Sequence, residues 1–338
     1  MASTIPPVRE IVMVITDLYL AAEDGASALA GVRLPGIEQL ARFGTRTPVG
    51  AGWRSWLAQH LGRADLAAAA PAAVAAAAVA AAPTPSRSQW IATPVHLSAG
   101  LSRVHLDHRG ILRLEPQARA HLAASFAATF AGSGLALVPL PCGEFLLRAA
   151  DIEAVPVTEP ERCAGADISV ALPQGMAAAA LRRTAAEIEM WLHGQPTASA
   201  ANALWRWGAQ GAGAPRTPRL PGSALRAFGA DAYLDGLAQL QGARCEPLPQ
   251  ELDGVLGAPG AEAVLALRVG GELQNDMVSF AEGLGRLDAR FIVPALAGLR
   301  AGGCARLTLI ANDTLLSMRR RSVLRRWRRA RSAAVAFT

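Results

Sequence analysis

From residue 181 onward, short apolar runs alternate with amphipathic stretches of helical spacing, and this limits the fold more than any other feature of the chain. Residues 181–193 read as a helix, 203–207 as a strand, and 231–241 as a helix. Residues 263–269 and 306–311 read as strands, with a helix near 291–300 between them. Alternation of this kind predicts a largely parallel sheet flanked by helices, an α/β class. Such sheets bind ligands beyond the carboxyl ends of their strands. The run 187–213, EIEMWLHGQPTASAANALWRWGAQGAG, sets a helix, a Pro-containing turn, a strand and a glycine-rich loop in that order. Gly208, Gly211 and Gly213 would let backbone amides approach a phosphate, or would simply serve a tight turn.

Upstream, residues 11–16 read as a first strand ending at Asp17, followed by short helices over 36–43 and 54–61. Residues 64–88 collapse to Ala, Pro and Ser and read as a linker or a loose helix. Beyond them the pattern gives a β-hairpin, with 104–106 and 111–114 flanking a turn at 107–110. A helix over 116–131 and strands at 135–138 and 144–147 complete an inserted α+β unit. The expected organisation is a core in two parts, 1–63 and 151–318, with a linker over 64–88, a subdomain over 89–150, and an Arg-rich tail over 319–338.

Charge narrows the classes of partner. The net charge of +6 comes from the end of the chain, where residues 319–331 hold eight arginines and no acid. Removing those eight from the 33 basic residues leaves 25 against 27 acidic ones, so the body of the chain is slightly acidic. Nucleic acid or an acidic protein could be met only through this tail, where Trp327 adds a stacking group. The four cysteines are far apart and form no CxxC pair, which predicts a reduced, cytoplasmic setting. The apolar run 11–22 lacks a basic leader and contains Asp17, and the alanine run 67–82 is broken by Pro71. Neither reaches the roughly 20 residues of a membrane span.

The run 187–213 resembles the archaeal-type cofactor-independent phosphoglycerate mutases, which belong to the alkaline phosphatase superfamily. So do residues 103–114, the GADISVALPQG of 165–175, the helix 232–242 with the CEPLP that follows, and LDARFIVPALAGL at 287–299. The chain is also similar to RpfE-type regulatory proteins, which look like divergent relatives of those mutases. The resemblance implies an alkaline-phosphatase-like sheet with the inserted subdomain, and chemistry that uses two divalent metals and a phosphoryl-accepting serine. Two metals neutralise the attacking and leaving oxygens of an in-line displacement, so their ligands are not easily dropped.

Carried onto this sequence, the pattern is incomplete. Asp17 matches the first metal-binding aspartate. Trp53 stands at the nucleophile position and Ser55 lies two residues on, leaving Ser55 as the candidate nucleophile. The segment after the strand 263–269 offers Glu272 and Asp276 but no histidine, and the expected Asp-His pair reads Asn312-Asp313. The carboxylates Asp17, Asp313 and Asp276 could converge on one hard cation, Mg²⁺ or Mn²⁺. Helix capping or a turn is the competing role for Asp17 and Asp313. His108 and Arg109, at the expected hairpin tip, could hold a phosphate. The resulting expectation is a regulatory or ligand-sensing pseudoenzyme with an eroded two-metal site, binding a phosphorylated small molecule. Two alternatives stay open: a metal-dependent mutase or phosphatase with a reduced carboxylate site, and a nucleic-acid adaptor acting through the tail.

Overall fold

The computed structural model describes residues 8–19, 29, 31–79, 88–100, 103–165, 167–176, 178–195, 201–211, 225–256, 261–270 and 280–324. Strand β1 (Val8–Ile15) is buried on both faces. Its alternate residues feed two different apolar cores, Ile11, Met13 and Ile15 on one side and Val12 and Val14 on the other. That is the behaviour of a central parallel strand. β1 lies between β10 (Glu262–Leu267) and β11 (Cys304–Ala311), parallel to both. β8 (Leu225–Phe228) and β9 (Cys245–Glu246) extend the parallel part. β12 (Thr314–Arg319) and β2 (Thr45–Pro48) close the other edge with antiparallel pairing. The seven-stranded sheet runs β2-β12-β11-β1-β10-β8-β9, the mixed α/β architecture expected.

Helices cover both faces of this sheet. On the first face, α1 (Pro35–Phe43) packs Ile37 and Leu40 beside Phe291, Leu296 and Leu299. A π-helical turn, Asp288–Ile292, links the helices Phe280–Leu287 and Val293–Ala301. Asp288 in that turn accepts from the amides of Gly36 (2.9 Å) and Ile37 (2.8 Å), supplying the cap that α1's own sequence lacks. On the second face, α2 (Gly52–His60) contributes Trp53 and Leu57, and the helix Ala232–Leu240 contributes Tyr233, Leu234 and Leu237.

A second sheet orders β4 (Val104–Ile111), β3 (Ser88–Ala99), β6 (Phe145–Ala149) and β5 (Leu135–Pro139), with β7 (Ala203–Gly211) pairing β3 as well. Its long strand is β3. The helices Pro116–Thr129 and Ala179–His193 pack on it through Phe126, Trp191 and Leu192.

Three sequence expectations change here. The strand at 203–207 forms as β7 (Ala203–Gly211), but it pairs antiparallel with β3 and belongs to the second sheet. The inserted unit therefore reaches past residue 150. The expected hairpin around 107–110 is one strand, β4 (Val104–Ile111), paired with β3 across a bulge. Its glycine signal has a packing cause, since a Cβ at Gly110 would fall 2.6 Å from the His96 carbonyl oxygen.

The stretch read as a linker carries helices Ala64–Ala67 and Pro71–Ala75, with Ala72, Val74 and Ala75 fully buried. Residues 80–87 lie outside the described ones. Among the described residues no helix is long and apolar enough to cross a membrane. The tail is described only through the 3-10 turn Arg320–Leu324.

Candidate functional site

The carboxyl ends of β1, β10 and β11 stand side by side, where α/β sheets place their ligands. Asp17, Arg268 and Asp313 each follow one of these strands. Asp17 is buried and accepts from the backbone N–H of Val269 (2.8 Å) and Gly270 (3.0 Å). Its carboxylate therefore ties the end of β1 to the segment leaving β10.

Asn312 and Asp313 both have positive φ, 47° and 53°. They join the paired residues Ala311 and Thr314, so they form the two-residue loop of a β-hairpin. Positive φ at both positions is the signature of a type I′ turn. The pair expected in place of metal ligands is thus a hairpin tip. Asp313 accepts from both terminal nitrogens of Arg162, at 2.6 and 2.7 Å. Arg162 ends the 3-10 turn Pro160–Arg162, donates to Glu159 at 2.6 Å and lies 4.2 Å over the Tyr19 ring. Burial, reinforced by Glu159, holds the Tyr19 hydroxyl far above its ordinary range, so it stays a neutral phenol.

Arg54, in the first turn of α2, is the second cation. Its guanidinium lies between the rings of Trp53 and Trp207, 4.5 Å from each centroid. It pairs with Glu159 and stands 3.6 Å from Asp231. Glu159 therefore bridges Arg54 and Arg162. Burial opposes the charge on Glu159, but the two guanidinium groups outweigh it and hold the carboxyl below its usual range. At Asp231 and Glu161 burial prevails and raises the carboxyl. Deeper in, Arg113 (3.5 Å) and Arg268 (3.4 Å) share Glu161, and Arg113 also reaches Glu144 at 3.3 Å.

A cavity of about 470 Å³ opens among these groups, lined by Gly52, Trp53, Arg54, Glu159, Arg162 and Asp313, with Trp207 and Gly208 completing it. Gly208 has φ +65°, and a Cβ there would lie 2.9 Å from Pro71. The positive φ of a bulged strand and the closeness of the Pro71 ring explain this glycine. Gly211 ends β7 beside Ala154, and Gly213 lies outside the described residues.

Several expected site residues are elsewhere. Ser55 does not line the cavity, and its hydroxyl accepts only a long 3.5 Å contact from Gln59 Nε2. Trp53, at the expected nucleophile position, is 3% exposed. His108 and Arg109 lie on β4 and not on a turn; neither lines the cavity, and Arg109 is exposed. Asp276 and Glu272 lie outside the described residues.

Among the described residues no group of three or more His, Cys, Asp or Glu side chains is placed to hold a metal ion. Asp17 is engaged by two amides and Asp313 by a bidentate arginine, so these two carboxylates already have partners within the protein.

No protein-family model matches the chain, and no curated protein sequence matches it significantly. Among solved structures, the chain is similar to a cofactor-independent phosphoglycerate mutase from Thermoplasma acidophilum, with 12% identity and a TM-score of 0.39 over 92% of this chain and 90% of the other. It is also similar to a Pyrococcus horikoshii protein, with 11% identity and a TM-score of 0.49 over 98% of this chain and 93% of that one. Likenesses this weak say nothing about chemistry, which rests on the side chains above.

Proposed function

We propose that this chain is a ligand-sensing pseudoenzyme built on a phosphoglycerate-mutase-like frame, a regulatory protein that binds a phosphorylated small molecule without turning it over. One observation supports the reading: among the described residues, the two candidate metal-binding carboxylates are both engaged within the protein, and the expected nucleophile position holds no nucleophile. Asp17 holds amides, Asp313 holds Arg162, and the nucleophile position is a buried tryptophan. Four unpaired cysteines suit a reducing compartment, and a cytoplasmic location goes with this reading.

Arg162 is the part of the cavity best suited to respond. The Arg162 and Asp313 side chains are 32% and 38% exposed, so solvent and ligands reach the pair. A phosphate offers the same bidentate acceptor geometry as a carboxylate with more charge. It would compete with Asp313 for Arg162 and free the hairpin tip.

Arg162→Ala is expected to weaken the fold less than loss of Arg54 would, because its pair with Asp313 is partly exposed and Glu159, its buried partner, keeps Arg54. The same change should abolish phosphate-ligand recognition. Thermal shifts with 3-phosphoglycerate and other small phosphate esters test this. The reading predicts a rise in Tm for the native chain that Arg162→Ala lacks. Equal shifts in both proteins, or none in the native chain with any ester, would contradict it.

A further inference from the structure

A second cavity, of about 350 Å³, lies between the two sheets' helices and shares no residue with the site above. Helix Pro116–Thr129 brings Arg119 to it, and helix Ala232–Leu240 brings Asp235. Leu114, Pro141, Cys142 and Cys245 supply less polar walls. Both charged residues are more than nine-tenths buried, with Arg119 9% and Asp235 6% exposed. Arg119 Nε and Asp235 Oδ2 are each sealed from solvent without a hydrogen-bond partner. The two residues feel each other's charge but form no ion pair among the described residues. Arg113, whose other nitrogens serve Glu144, Glu161 and the Leu112 carbonyl, adds its Nε as a third orphaned atom on the same lining.

Buried polar groups left unpaired are destabilising, and native structures retain few of them. Here a donor of positive charge and an acceptor of negative charge line one small cavity and fail to meet. Their complement is a small molecule that carries both a carboxylate and an ammonium. The helix start at Pro116 reinforces the arrangement, since first-turn amides attract an anion near Arg119. The apolar walls suit a small side chain, and the volume suits a small molecule.

We propose that this cavity binds a free α-amino acid, its carboxylate held by Arg119 at the start of the helix Pro116–Thr129 and its ammonium by Asp235. Nothing in this assignment depends on the reading of the first cavity.

The state of Asp235 makes the binding sensitive to pH. Burial, then Asp231 on its own helix and Glu144 from the second sheet, push its carboxyl up to about 7, while Cys245 and Arg119 act in the opposite direction. Glu115 and Glu246 are the remaining acids on the lining. An ammonium beside the Asp235 carboxyl draws it into its charged form. Binding near pH 7 therefore releases a proton and weakens as the pH falls below that value.

Calorimetric titration of the full chain tests the proposal, using the standard L-amino acids singly, with acetate and methylamine as half-ligands. The expected result is binding of at least one small amino acid, at least tenfold tighter than either half-ligand, with a heat that varies with the buffer's ionisation enthalpy. Arg119→Gln and Asp235→Asn should each weaken it tenfold or more. Asp235→Asn should also raise Tm at pH 8, since it removes a carboxylate that burial disfavours; a gain in stability with loss of binding marks a ligand group. No amino acid binding to the native chain, acetate binding as tightly as any amino acid, or unchanged affinity in both variants would overturn the proposal.

Discussion

Arg54→Ala is expected to destabilise the fold by about 3–5 kcal/mol, the range found when one partner of a buried ion pair is removed. Glu159 is 8% exposed and Asp231 4% exposed, and both face the Arg54 guanidinium. Without it Glu159 keeps only Arg162, and Asp231 keeps no cation within ion-pair distance among the described residues. The rings of Trp53 and Trp207 also lose the cation held between them. Lysine should not rescue the site, because a compact ammonium cannot stack as a planar guanidinium does.

The pH dependence gives the sign of the effect. In the native chain Glu159 is held below its ordinary range, so its contribution is present above that range and is lost as pH falls through the lowered value. In the variant, burial without Arg54 raises the carboxyls of Glu159 and Asp231 above their unfolded values. Their penalty is then small in acid and grows as pH rises. Urea unfolding should show the largest deficit at pH 8 and a smaller one near pH 5. A deficit under about 1 kcal/mol at pH 8, or one that grows on acidification, would sink this description of the cluster.

Gly236→Ala is the second large effect expected. A Cβ at Gly236 would stand 1.9 Å from the Val74 carbonyl oxygen and 2.4 Å from its carbon. The clash is between two backbones, so no rotamer relieves it. Helix Pro71–Ala75 would have to lift off helix Ala232–Leu240, exposing Ala72, Val74 and Ala75. Overpacking of this kind costs about 1–3 kcal/mol where side chains can shift, and more where they cannot. Gly285→Ala supplies the contrast, since nothing lies within 4 Å of its added Cβ in the helix Phe280–Leu287. That change should stabilise by roughly 0.5–1 kcal/mol, the ordinary helix preference for alanine. Opposite signs for the two substitutions in chemical denaturation support the packing; a neutral Gly236→Ala would refute it.

The same pair of helices shows where the sequence misleads. Alanine and proline made residues 64–88 look like a linker, yet small side chains are what allow one helix backbone to touch another at Gly236. Strands β1, β10 and β11 were legible because their apolar runs are local signals. The partner of β7 was not, since Trp205 and Trp207 face Thr93 and Ile91 more than a hundred positions away. In β4 the Asp107 carboxylate accepts from the Arg109 amide, which copies a turn signal within a strand.

The candidate site was half legible. Asp17 and Asp313 were correctly placed at strand ends, and Asn312-Asp313 before an apolar run was itself a readable hairpin signal. Arg54, Glu159 and Arg162 were missed because the pairings that assemble them span 105 residues from Arg54 to Glu159 and 151 from Arg162 to Asp313; the local Glu159–Arg162 pair alone says nothing of a site. Charged residues inside an otherwise apolar chain are the one trace such a cluster leaves.

The proposed function holds that the chain binds a phosphorylated ligand without turning it over. Phosphorus NMR of 3-phosphoglycerate incubated with the full chain and Mn²⁺ tests it directly. The account predicts a spectrum that stays identical to the protein-free control. Accumulation of 2-phosphoglycerate or inorganic phosphate, lost in Asp17→Asn, would contradict it.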